Sequence, residues 1–109
     1  MIEIVLVSAL KNIAPLYPLL APQNSSVPFM IYQVVHEEQN KAINGNIIDK
    51  NVVFQVDIYS NSYSEIKALK QSVLEQIVIL NGSDIISKDD YDEQEQLYMQ
   101  ILQFKIKRI

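Results

Sequence analysis

The sequence predicts a two-layer α+β domain. It has a mostly antiparallel four-stranded sheet, one face of which is covered by a long helix at about 62–81. An N-terminal helix and a proline-rich arm precede the sheet. Three observations lead there. Val52 to Tyr59 alternates side-chain character with the period of a strand. Residues 62–81 carry a helix start signal followed by one apolar stripe at three- and four-residue steps. Further apolar runs lie on either side, and strands joined by turns favour antiparallel pairing under a one-sided helix.

Taken in order, Ile2, Val5, Leu6, Ala9, Leu10 and Ile13 are spaced for a helix. The β-branched content and the Ile4, Leu6 alternation also admit a strand there, and Pro15 ends the element. Residues 14–28 hold all four prolines together with Leu, Tyr and Ala. Each proline fixes its own φ and pushes the preceding residue toward extended backbone, so this stretch reads as an ordered, extended arm. Phe29 to Val35 is aromatic and β-branched and reads as a strand, with Phe29, Ile31 and Val35 on one face and Met30, Tyr32 and Val34 on the other.

Residues 37–50 are polar and contain Asn44-Gly45, a pair that tolerates positive φ, so a long loop or a protruding hairpin tip is expected. In the next strand Val52, Phe54, Val56 and Ile58 share one face, and Val53, Gln55, Asp57 and Tyr59 the other. Ser62 followed by Glu65 forms a capping box that opens the helix. Its stripe is Tyr63, Ile66, Leu69, Val73, Ile77 and Leu80, and Asn81-Gly82 supplies the stop. A short strand is expected over 84–88, then a solvated turn built from the acids at 89, 90, 92, 93 and 95. The last strand, Leu97 to Ile109, changes apolar parity between Ile101 and Leu102, which predicts a β-bulge or a sharp change of burial.

The chain of 109 residues fits one domain, 1–109, and its 49% apolar content can fill a core. A net charge of −4 argues against a surface that holds nucleic-acid phosphates. The absence of cysteine removes disulfides, thiolate metal sites and cysteine nucleophiles. The opening MIEIVLVSAL lacks the basic start and cleavage site of a signal peptide, and no apolar run approaches the roughly 20 residues of a membrane span. A soluble protein made inside the cell is therefore expected.

No catalytic constellation emerges, and neither cofactor nor metal is expected. His36, beside Glu37 and Glu38, is conceivable as a general base, but nothing completes a site around it. The bland reading is a solvent-facing residue at a strand end. KDDYDEQEQ has the acids of a calcium loop without its glycine or its twelfth-position glutamate. The tyrosines read equally as interface contacts or as half-buried strand residues.

Four stretches resemble one known family. The arm with Tyr17-Pro18, Pro22-Gln23, Pro28-Phe29 and Tyr32-Gln33 is the first. Strand 53–60, with Asp57 and Tyr59, is the second, and the helix opening at Tyr63 is the third. Tyr91-Asp92, Leu97-Tyr98 and Phe104 make the fourth. Together, in this order and spacing, they resemble the tail completion, or tail-to-head joining, proteins of long-tailed bacteriophages and prophages. Glu95-Gln96 departs from the Thr-Gly that this family often has before Leu-Tyr.

The resemblance implies a non-enzymatic structural protein of the virion neck, assembled in the bacterial host cytoplasm. Copies would form a ring, typically a hexamer, on the head-proximal end of the tail tube. The ring would contact the tail tube protein on one side and the head-completion or connector protein on the other. DNA would pass only through the lumen, and no membrane is involved. Gln39, Asn40, Lys41, Asn44 and Gly45 are then the expected partner or ring-interface loop. The rival reading is a small α+β ligand-binding or regulatory accessory domain.

Overall fold

The computed structural model describes residues 2–41, 44–45 and 47–108. The elements run α1 (Ile2–Leu10), β1 (Leu16–Pro18), β2 (Phe29–Lys41), β3 (Ile47–Ser60), α2 (Tyr63–Ile79), β4 (Ser83–Asp92) and β5 (Leu97–Arg108). They form one sheet in the order β1-β2-β3-β5-β4, antiparallel at every pairing except the parallel β1–β2.

The predicted face of β3 builds the centre. Val52, Phe54, Val56 and Ile58 are buried, opposite Ile106, Phe104, Leu102 and Gln100 of β5. They share one cluster with Met30 and Tyr32 of β2, Ile2, Leu6 and Leu10 of α1, and Ile66, Val73 and Ile77 of α2. Both helices therefore cover the same face, and burying each of these large side chains contributes about 1.5–3 kcal/mol.

Local chemistry sets the ends of α2. The Ser62 hydroxyl accepts from the Glu65 N–H at 3.3 Å, as a capping residue should. The return half of the box is relayed. The Ser60 hydroxyl, fully buried, accepts from the Ser62 N–H at 3.1 Å and donates to Glu65 Oε1 at 2.6 Å. At the other end Gly82 N–H donates to the Ile77 carbonyl and Asn81 N–H to that of Val78, a Schellman arrangement with Asn81 at φ 60°.

The structure corrects the expected plan in several places. The sheet has five strands, because Leu16–Pro18 inside the arm pairs with Met30–Tyr32. Helix α1 stops at Leu10, well before Pro15, in a turn closed by Lys11 N–H to the Val7 carbonyl and Ile13 N–H to the Leu10 carbonyl. Val35 does not share a buried face with Phe29 and Ile31, because the β2–β3 register slips between Val34 and His36 and leaves Val35 exposed. Tyr63 opens the α2 stripe half-exposed. Strand β4 continues through Asp89–Asp92, so the acidic turn shrinks to the residues between β4 and β5. Strand β5 pairs with β3 without a register shift. Its parity change reflects apolar side chains on both faces, with Leu102, Phe104 and Ile106 toward the helices and Leu97, Met99 and Ile101 half-buried on the other. Ile109 lies outside the described residues.

Candidate functional site

Strands β2 and β3 run on as a two-stranded ribbon beyond the rest of the sheet. Strand β5 pairs with β3 only as far as Lys50↔Arg108. Past that point Asn40↔Asp49 and Lys41↔Ile47 face each other alone, with an irregularity between Asn40 and Lys41. The ribbon stretches the molecule to 53 × 25 × 22 Å and its radius of gyration to 15.2 Å, against about 13 Å for a compact chain of this size. Gln39, Lys41, Asn44 and Gly45 are exposed. Gly45 sits at φ +88°, with open space where a Cβ would be. The pairing of Asn40 is described but its side chain is not, and residues 42, 43 and 46 lie outside the described residues. Polar contacts decorate the ribbon stem: Lys50 pairs with Glu37 at 3.3 Å, and His36 Nε2 lies within hydrogen-bond distance of Glu38, 3.3 Å, with both side chains about half-exposed.

The sheet face opposite the helices is crossed at one end by the arm. Leu19 N–H bonds to the Tyr32 carbonyl, and Ser25 bonds back to the Pro22 carbonyl. Leu19 and Asn24 both sit at φ 63°. Beneath the arm Phe29 stacks on Tyr59 at 4.8 Å and meets Tyr17 edge-on at 6.4 Å. A groove of about 360 Å³ lies between arm and sheet, lined among others by Pro22, Gln23, Phe29, Tyr59, Asp92 and Leu97. Burial, helped by Asp57, Asp92 and Asp90, pushes the Tyr59 hydroxyl above the usual tyrosine range. Asp57 lies between Ile31 and Ile101 on the neighbouring strands. Desolvation there raises its carboxyl, although Gln55 Nε2, donating at 3.0 Å, works the other way.

On the helix side a second aromatic group joins the start of α2 to the outer strands. The Tyr98 ring packs edge-on to Tyr63 at 5.5 Å and to Tyr91 at 5.1 Å. Lys67 lies 5.0 Å over the Tyr63 ring and pairs with Asp89 at 2.7 Å. That contact holds the Asp89 carboxyl below its ordinary range and the Lys67 ammonium above its own. Gln100 also donates to Asp89.

The residues singled out by sequence thus fall into separate places. Tyr17, Pro22, Gln23, Tyr59 and Leu97 gather around the groove, with Pro18 exposed on β1 and Pro28 half-buried at the arm's end. Tyr63 and Tyr98 meet on the helix side. Tyr32 and Phe104 are core residues, Phe104 packing on Phe54 at 5.9 Å. The ribbon tip stands apart from all of them.

The chain matches no family model and no curated protein compared with it. What the sequence reading missed is the groove itself. Glu95 is exposed in the turn between β4 and β5, as the sequence predicts, and from there it lines the groove together with Asp92. No local signal marks it: Leu19 and Leu20, the apolar residues between the prolines, stay largely exposed instead of covering the sheet. Among the described residues no group of three His, Cys, Asp or Glu side chains is placed to hold a metal, and no helix is long and apolar enough to cross a membrane.

Proposed function

We propose that this protein is a phage assembly protein that caps the head-proximal end of a tail tube and joins it to the head connector. Copies form a ring, a hexamer in this reading. Tail tube protein meets one side and head-completion protein the other, and DNA passes through the lumen. The observation that supports this best is the β2–β3 ribbon. It carries exposed Lys41, Asn44 and Gly45 beyond the last rung that β5 supports, the rung on which exposed Gln39 lies. An isolated two-stranded ribbon is marginal in water, so its natural complement is a protein surface that packs against it. The arm fits an assembly part as well. Its prolines restrict the unfolded chain, so little entropy is lost in holding it extended across the sheet.

Deleting the gene from its phage or prophage is expected to leave filled heads and finished tails unjoined in electron micrographs, with joining restored by the purified protein. Removing residues 40–46 should block that restoration while the domain still folds. Virions at normal yield without the gene would overturn the reading.

A further inference from the structure

We propose that the groove beneath the arm is a docking site for a basic segment of a partner protein, which inserts a lysine or arginine side chain between arm and sheet. This stands apart from the tail-joining reading, which concerns the ribbon.

The floor suits such a side chain. Tyr59, half-buried and stacked at 4.8 Å on the buried Phe29 ring, offers aromatic surface, and Ile31 and Leu97 extend it with apolar surface. Aromatic rings attract a guanidinium or ammonium, and apolar surface receives the methylene stem below it. The volume, about 360 Å³, is toward the low end of clefts that hold small ligands and ample for one long side chain.

Charge chooses the occupant. Asp92 and Glu95 line the groove, and none of its described lining residues is basic. Asp57, two residues from Tyr59 on the same face of β3, joins Asp92 in the field around the Tyr59 hydroxyl, and Asp90 adds a third carboxylate to it. The cation on this face of β4 is Lys88, opposite Ile101. It stands four residues along from Asp92, about 13 Å at strand spacing. The Asp89–Lys67 pair belongs to the helix side.

The wall is already in place. Leu19 is anchored through its N–H to the Tyr32 carbonyl, and a turn from Pro22 to Ser25 is closed by two hydrogen bonds. A wall fixed beforehand spares the ordering cost of binding. Leu20, 80% exposed, stands at the lip, where apolar neighbours of the inserted cation would rest.

The test is an amide NMR titration of the whole chain with N-acetyl-arginine amide, and in parallel with the citrulline compound, which keeps the shape and loses the charge. Arginine should move Asn24, Tyr59, Asp92 and Glu95 along saturable curves that weaken with added salt, while citrulline leaves them in place. Asp92→Asn keeps an oxygen for the Gln94 and Glu95 N–H groups that Asp92 now receives. That variant and Glu95→Gln should each weaken arginine binding several-fold without altering the spectrum elsewhere. Equal shifts with citrulline, shifts centred elsewhere, no shifts at all, or a double variant that binds arginine as the parent does would each overturn the proposal.

Discussion

Tyr32, near the start of β2, donates its hydroxyl to the Glu3 carboxylate at 3.1 Å and so ties the sheet to the first turn of α1. The ring is buried in the core and only the hydroxyl reaches the rim. Burial, then the hydrogen bond and charge of Glu3, push the Tyr32 hydroxyl above the usual tyrosine range. Tyr32→Phe should cost about 1 kcal/mol near neutral pH, the net worth of one such bond.

The pH dependence has a definite sign. A folded-state value above the unfolded one gives stability that is complete below the unfolded pKa, near 10, and is lost as pH rises through the folded one. Stability should therefore fall in alkali, and the fall should be shallower in Tyr32→Phe. Tyr59, raised as well, keeps part of it. Urea titrations at stepped alkaline pH measure this, and an unchanged alkaline limb in the variant would count against the assignment.

Asp57 repeats the sign at acid pH, with a carboxylate. Set between Ile31 and Ile101, it is raised by desolvation, so the folded state holds its proton more tightly than the unfolded chain. That advantage is complete below the ordinary aspartate range, around pH 3.9, and is gone once pH passes the raised value. At neutral pH the half-buried charge is a burden. Asp57→Asn retains an oxygen for Gln55 and should be modestly more stable than the parent at neutral pH, with the gap closing as pH falls toward 4. Melting temperatures across that range decide it; a gap that stays constant with pH would refute the cause given.

Much of the fold is legible where one face is buried and the other wet. Phe54, Val56 and Ile58 announce β3, and Ser62 with the stripe from Ile66 to Ile77 announces α2. Legibility fails where that contrast disappears. Residues 36–39 and 41 are polar and exposed on both sides of the ribbon, so period-2 alternation has no reason to appear. Strand β5 fails for the converse reason, being apolar on both faces, which mimics a change of parity. Strand β1 is three residues in a parallel pairing, a tertiary contact that no local pattern encodes. Asp89 and Asp90 look like turn residues, yet they sit on an edge strand, where charge discourages unwanted pairing. Of the candidate site, the Asn44-Gly45 turn was readable from local chemistry. The groove was not, since it depends on where the arm is laid.

The end of α2 offers two neighbouring positions with opposite expectations. A Cβ on Gly82 would run into the Ile77 Cγ2 methyl and lie 3.0 Å from the Ile77 carbonyl oxygen, the same oxygen that accepts the Gly82 N–H. Gly82→Ala should therefore cost about 1–3 kcal/mol, the range for forcing an extra methyl into packed structure. Asn81, at φ 60°, is in the left-handed region that glycine occupies without strain. Asn81→Gly should be close to neutral. Chemical denaturation of the two variants side by side checks both, and a mild Gly82→Ala would show that Ile77 yields easily.

The ribbon should be energetically separate from the domain that carries it. Val35, His36, Glu37, Glu38 and Gln39 are exposed, as are Lys41, Asn44 and Gly45, and the core cluster contains no described residue between Tyr32 and Val52 apart from Val34 packed at its margin. Substitution of exposed residues away from caps and core usually changes stability by no more than about 0.5 kcal/mol. Replacing residues 40–49 by a two-residue Asn-Gly turn keeps the Gln39↔Lys50 rung as the new ribbon end. The shortened protein should unfold at nearly the parent's urea midpoint. Its denaturant slope should fall only slightly, because little buried surface has been removed. A drop of several kcal/mol would mean that the tip folds back to support the core, and the ribbon would then lose its standing as a surface reserved for a partner.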